Sequence, residues 1–163
     1  LFQLLEAAPD LRPLMEQVLT SALSIKIHIV ESDPTEHNLR AVLNFGHTIG
    51  HAIEGVAACG TESSGNNSSG VEQKAYYHGE AVAVGMLYMA EGEANRRIEK
   101  LLKKYNLPTE DPYTTEQLMT YAAHDKKRRG GTIKLVRVSE RGSFRFQEAT
   151  EDDLRDIIQA RKK

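Results

Sequence analysis

Between Gly79 and Ala90 the chain is apolar on almost every face of a helix, with Ala81, Val82, Ala83, Val84, Gly85, Met86, Leu87, Tyr88, Met89 and Ala90 following Glu80 in unbroken order. A helix without a polar face has to be buried, so the chain must supply a core around it. Its 163 residues are enough for such a core without covalent staples. Hydrophobic residues at 40 % and charged residues at 27 % lie near the globular average and exclude general disorder. A single cysteine, Cys59, rules out an internal disulfide framework and any cysteine-based zinc ribbon.

The remaining periodicity is mainly helical. Leu11, Leu14, Met15, Val18, Leu19, Ala22, Ile25 and Ile29 recur at three- and four-residue steps, predicting one helix of five turns that stops near Ser32. Asp33, Pro34 and Glu36 then read as N-cap, first helical position and capping-box acid of a new helix. A third helix is expected from Val42 to Ala57, with Phe45, Ile49, Ala52, Ile53 and Val56 facing the core. Cys59–Gly70 is rich in Gly, Ser and Asn, and a mobile surface loop is expected over about 59–74. The buried helix should reach about Arg97, followed by helices near Ile98–Tyr105 and Thr115–His124. Only Thr132–Val138 and Ser143–Gln147 alternate with period two, which predicts a hairpin, and Glu151–Arg161 closes the chain as a helix. The expected fold is mainly α, a helical bundle with one small β-hairpin and no βαβ unit or Gly-rich phosphate loop.

Charge and targeting signals exclude several function classes. Twenty-one Lys and Arg against twenty-three Asp and Glu leave a net charge of −2, so no overall field draws the chain to nucleic acid or anionic lipid. No apolar run approaches the roughly 18 residues of a membrane span, and Leu1–Asp10 has no signal-peptide pattern. A cytoplasmic setting is expected. Position 1 is Leu rather than Met, which points to a piece of a longer chain.

Polar residues that interrupt the apolar pattern mark candidate chemistry. On the third helix Asn44, His47, His51 and Glu54 fall at i, i+3, i+7 and i+10, opposite the apolar stripe. Two imidazoles at i, i+4 can converge on one metal, or one can bind metal while the other faces substrate. Such a pair alone is more often two surface histidines. Gly46 and Gly50 weigh against that, because each costs about 1 kcal/mol in a helix interior. Two glycines, each just before a histidine, imply that something approaches the backbone there. His78 precedes the buried helix with no comparable structural reason, whereas Glu80 is accounted for by the helix dipole. Lys26 falls on the apolar stripe of the long helix, and so either snorkels to an edge or meets an anion. Arg40 lies one turn before Asn44, within reach of the same region. Asp125 to Gly131, containing Lys126, Lys127, Arg128 and Arg129, suits a solvated helix end, or alternatively a cationic lip over a phosphate.

The twelve residues Leu43, Asn44, Phe45, Gly46, His47, Thr48, Ile49, Gly50, His51, Ala52, Ile53 and Glu54 resemble the signature of the 3-dehydroquinate synthase family, within the sugar-phosphate cyclases. Agreement extends in order to Ser24-Ile25-Lys26, to Asp33 with Leu39-Arg40, to His78 through Met86, and to Asp125-Lys126-Lys127. The resemblance implies that the whole chain, 1–163, is the C-terminal helical domain of a two-domain α/β plus α enzyme, with the active site between domains. It implies that His47 and His78 are two ligands of a catalytic zinc, or cobalt. It further implies that His51 and Asn44 act on the substrate, and that Lys26, Arg40 and one of Lys126 and Lys127 help to hold it. NAD would be bound by an N-terminal domain absent from the chain, which would also supply the third zinc ligand, a glutamate. Neither Glu54 nor Glu80 matches that ligand.

The implied reaction converts 3-deoxy-D-arabino-heptulosonate 7-phosphate to 3-dehydroquinate and phosphate, in the shikimate route to aromatic amino acids. A small-molecule sugar phosphate and the enzyme's own N-terminal domain are then the partners, with a homodimer in the full enzyme and no nucleic acid or membrane. The nearest rival is another cyclase, of aminocyclitol or valiolone type. A glycerol-type alcohol dehydrogenase has no need of the phosphate and carboxylate grip. A non-catalytic helical metal-binding module would leave the helix glycines beside paired histidines unexplained.

Overall fold

The computed structural model describes residues 1–35, 39–62, 76–122 and 132–162. They form two compact units, Leu1–Leu43 and Asn44–Lys163. The first unit holds α1 (Phe2–Ala7), a 3-10 turn at Arg12–Leu14 and the long helix α2 (Met15–Ser32). The Asp10 carboxylate accepts the Arg12 backbone N–H at 3.0 Å and its Nε at 3.0 and 3.2 Å, fixing the turn into the long helix. The helix has the length its periodicity predicts, but none of its residues is buried, and Leu19, Leu23, Ile25 and Ile27 are each at least half exposed. The apolar stripe bearing Lys26 is exposed at Met15, Leu19, Ala22 and Ile25 and half-buried at Leu11, Leu14, Val18 and Ile29.

Asp33 departs from its expected role. It terminates α2, is buried, and its Oδ2 accepts the backbone N–H of Arg40 at 3.0 Å. The acid therefore caps the 3-10 helix Leu39–Asn44 from seven residues away rather than opening a helix at its own position. Pro34 and Thr35 form a turn, and Glu36 lies outside the described residues.

In the second unit α3 (His47–Glu62) begins five residues later than the expected helix, at His47 rather than Val42. The cause is Gly46, whose φ of +80° is a left-handed conformation that stops helical propagation from Asn44. Asn44 and Phe45 therefore precede α3 instead of lying on its stripe. The helix also continues beyond Cys59 to Glu62, into the sequence expected as loop; the rest of that expected loop, 63–74, lies outside the described residues. Ile49, Ala52, Ile53 and Val56 are buried at i, i+3, i+4 and i+7, as read from the sequence.

The fully apolar segment is α4 (His78–Met89), and Ala81, Val84, Leu87 and Met89 are among its buried residues. It ends well short of Arg97, because Ala90 and Glu91 turn into extended backbone and pair with the end of the hairpin. The Glu91 N–H donates to the Val138 carbonyl at 2.8 Å. Gly92, at φ +52°, then starts α5 (Gly92–Lys104). Asn95 Nδ2 donates to the carbonyls of Leu87 and Ala90 at 2.6 and 3.2 Å, satisfying carbonyls left unpaired at the end of the buried helix. The helix α6 (Thr115–Ala122) opens with reciprocal bonds between Thr114 and Gln117.

Strands β1 (Ile133–Arg137) and β2 (Arg145–Ala149) pair antiparallel, Ile133 opposite Ala149 and Arg137 opposite Arg145. The second strand is shifted two residues beyond the predicted segment. The final helix α7 (Glu151–Lys162) is capped by Thr150 and Asp153 and buries Leu154 and Ile158. Ile49, Ile53, Val84, Leu118, Leu135 and Ile158 meet in the core. Among the described residues no helix is long and apolar enough to cross a membrane.

Close backbone contact joins α3 to α4. A Cβ on Gly46 would lie 2.7 Å from the Met86 nitrogen and the Val82 carbonyl oxygen, and one on Gly50 would lie 3.0 Å from Val82 Cα. A Cβ on Gly85 would collide with the Gly46 carbonyl oxygen. Gly85→Ala should therefore lower stability by about 1–3 kcal/mol, read as a fall in the urea midpoint at constant slope. Gly79→Ala, where a Cβ meets nothing within 4 Å, should leave the midpoint unchanged or raise it.

A second stabilising contact ties the end of α4 to the hairpin. Glu91 Oε1 accepts from Arg137 Nη2 at 2.5 Å and from Arg145 Nη2 at 3.0 Å, and its Oε2 accepts from Arg145 Nη1 at 2.8 Å. The Arg145 hydrogen bonds, followed by those of Arg137, hold the Glu91 carboxyl at about 2, below its ordinary 4.5. Because the folded value is depressed, this contribution is present above pH 4.5 and is lost as pH falls toward 2. Glu91→Gln should cost about 1 kcal/mol at neutral pH after allowance for partial exposure. Denaturation curves should show that deficit shrinking through the same interval.

Candidate metal and substrate site

The helix α3 carries His47 in its first turn, His51 one turn on and Glu54 nearly a turn further, opposite its buried Ile49, Ala52, Ile53 and Val56. Contacts between α3 and α4 follow an antiparallel register: Gly46 lies against Met86 and Gly50 against Val82, each step of four residues forward in α3 matching four back in α4. One further step sets Glu54 opposite His78, the first residue of α4. The glycines thus fit the expectation that something approaches the backbone beside the histidines. That neighbour is the backbone of α4, and its approach brings the third imidazole to the other two.

The rings of His47 and His51 have centroids 5.4 Å apart, those of His47 and His78 5.5 Å, and those of His51 and His78 5.9 Å. A zinc ion about 2.1 Å from an imidazole nitrogen lies about 3 Å from that ring's centroid. Two tetrahedral imidazole ligands therefore have centroids roughly 5 Å apart, close to the separations in this cluster.

Hydrogen bonds distinguish the three rings. His47 Nδ1 is 3.3 Å from the Phe45 carbonyl oxygen. His78 Nδ1 is 3.1 and 3.2 Å from the two oxygens of Glu54. Since both partners are acceptors, Nδ1 is the donor in each contact, and in the neutral ring that leaves the Nε2 lone pair for a ligand. Among the described residues no oxygen anchors His51 in this way. Burial lowers the His47 pKa below the ordinary 6.5, with the neighbouring His51 and His78 acting in the same direction. The Phe45 carbonyl and Glu54 oppose that shift. The neutral ring is the form that binds metal.

A second donor set overlaps the first. Ligand atoms of His51, Glu54 and His78 lie within 4.8 Å of one another. In the structure, however, Glu54 faces the Nδ1 edge of His78 with both oxygens nearly equidistant, which is the arrangement of a hydrogen-bond acceptor. His47 and His78 are thus the two rings whose Nδ1 edges are anchored by an oxygen.

The other predicted residues are distributed as follows. Asn44 ends the 3-10 helix just ahead of Gly46 and is half-buried. Lys26 and Arg40 belong to the first unit, where Lys26 is exposed and Arg40 Nη1 donates to the Pro34 carbonyl at 3.0 Å. Lys126 and Lys127 lie outside the described residues. Glu80 lies in the first turn of α4, as the helix-dipole reading expected, and also caps it, its Oε2 accepting the Tyr77 N–H at 3.1 Å. The contact of Glu54 with His78 was missed in the sequence, although its position seven residues after His47 placed it on the histidine face.

The family model for the 3-dehydroquinate synthase C-terminal region matches residues 1–128. The chain is 32 % identical over 164 residues to the 3-dehydroquinate synthase of Enterococcus faecalis, covering 94 % of this chain and 42 % of that protein. It is 34 % identical over 158 residues to the 3-dehydroquinate synthase of Dictyoglomus thermophilum, covering 91 % and 40 % respectively. The chain therefore spans about two fifths of the length of the curated relatives it matches. Among solved structures its fold is similar to that of 2-epi-5-epi-valiolone synthase from Streptomyces hygroscopicus subsp. jinggangensis, which has NAD+ and Zn2+ bound. The TM-score is 0.65 at 19 % identity, over 90 % of this chain and 40 % of that one.

Proposed function

Because the chain belongs to the 3-dehydroquinate synthase C-terminal family, we propose that residues 1–163 are the metal- and substrate-binding domain of a 3-dehydroquinate synthase. That enzyme eliminates phosphate from 3-deoxy-D-arabino-heptulosonate 7-phosphate and closes the carbocycle of 3-dehydroquinate. The observation that carries the proposal is the cluster of His47, His51 and His78, with Nδ1 anchored on the first and third.

His47 and His78 would hold zinc, or cobalt, through Nε2. When bound, the metal supplies Lewis acidity toward a substrate hydroxyl and NAD supplies the hydride acceptor. No residue of this chain forms a dinucleotide fingerprint, so NAD and a glutamate ligand are assigned to an N-terminal domain outside it. His51, which no oxygen anchors among the described residues, is suited to exchange a proton with substrate, and Asn44 to orient a substrate hydroxyl. Lys26, Arg40 and one of Lys126 and Lys127 would grip the phosphate and carboxylate, a charge pattern that favours this substrate over one lacking the acid. The fold likeness to a valiolone synthase makes another cyclase the second reading. A cytoplasmic homodimer belongs to the same proposal.

The complete protein, supplied with NAD and zinc, should release phosphate from the heptulosonate phosphate and not from a sugar phosphate lacking the carboxylate. His47→Ala and His78→Ala should lose most bound zinc by metal analysis. His51→Ala should keep it while turnover falls about 10²–10⁴-fold. Calorimetry of the 163-residue chain with NAD should show no binding. Full zinc in His47→Ala, or saturable micromolar NAD binding by the isolated chain, would contradict the assignment.

A further inference from the structure

We propose that Glu54 is a positioning residue that fixes the tautomer and direction of the His78 ring, so that Nε2 is presented to the metal. The inference rests on the preceding reading of His78 as a ligand. Glu54 lies on α3 and His78 at the start of α4, 24 residues later, and the antiparallel register of the two helices sets them face to face. Both carboxylate oxygens lie within 3.2 Å of His78 Nδ1, so the ring proton has an acceptor across a wide arc of ring positions.

This contact has little to contribute to folding. The His78 side chain is 59 % exposed and that of Glu54 32 % exposed, and exposed pairs of this kind add little stability. Its consequence lies in the ring itself. A free neutral imidazole favours the proton on Nε2, which would block the atom needed by the metal. A carboxylate on Nδ1 reverses that preference, restricts rotation of an exposed side chain and raises the basicity of Nε2. His47 achieves the same polarity with the Phe45 carbonyl. Thus each of the two proposed ligands has an oxygen behind it, one from backbone and one from Glu54.

The test uses the complete protein and two readouts besides activity. Nitrogen-15 NMR of the metal-free protein should show His78 protonated on Nδ1, and Glu54→Ala should shift it toward the Nε2–H form. Competition with a chelator should show zinc binding weakened about 10–100-fold in Glu54→Ala. Glu54→Gln, which keeps an acceptor oxygen, should restore most of the affinity. If Glu54→Ala leaves both tautomer and zinc affinity unchanged while His78→Ala abolishes zinc binding, the role of Glu54 is overturned and the ligand assignment stands. If Glu54→Gln loses zinc as completely as His78→Ala, Glu54 is itself a ligand and the positioning role is wrong. Full zinc retention by His78→Ala would overturn the ligand reading together with this use of Glu54.

Discussion

The site depends on two helices whose backbones touch. Gly46, Gly50 and Gly85 remove the side chains that would otherwise separate α3 from α4. With side chains at those positions the helices would move apart toward the usual interaxial separation of about 8–10 Å, and His78 would be carried away from His47 and His51. The contact also accounts for the burial of α4, which has to be covered on every side because it has no polar face. One packing solution thus hides the apolar segment, sets the register and gathers three imidazoles with centroids less than 6 Å apart.

Order at the far end of α4 complements that arrangement. Asn95 satisfies its last carbonyls, while Glu91 draws Arg137 and Arg145 of the hairpin to the chain as it leaves the helix. The end carrying His78 is open to solvent by contrast, and its first turn is held by Glu80 on the Tyr77 amide and by Glu54 on the imidazole. A buried helix with one fixed end and one exposed end is suited to presenting a ligand from a rigid support.

Much of this was legible in the sequence where local periodicity decides the structure. The buried character of α4, the length of α2, the hairpin and the closing helix follow from apolar spacing and capping residues. What escaped was set by contacts distant in sequence. Gly46 looks like a helix-interior glycine until its left-handed φ and the proximity of Val82 and Met86 are known. The end of α4 at Met89 is dictated by pairing with Val138, 49 residues away, and the sequence around Ala90 signals it only through Gly92. Asp33 has the composition of an N-cap, yet its carboxylate serves the amide of Arg40. At the site, the histidines were identifiable from spacing and resemblance. The oxygens behind them were not, because one is a backbone carbonyl and the other becomes a partner only once α3 and α4 are in register.

The central claim is that helix packing directs Nε2 of His47 and His78 toward a common metal. A zinc-edge anomalous difference map from crystals of the complete protein grown with zinc tests it most directly. The account predicts one strong peak about 2.1 Å from both Nε2 atoms, with Glu54 still hydrogen-bonded to His78 Nδ1. A peak coordinated by Glu54 and His51 instead, or none at the three histidines, would contradict it.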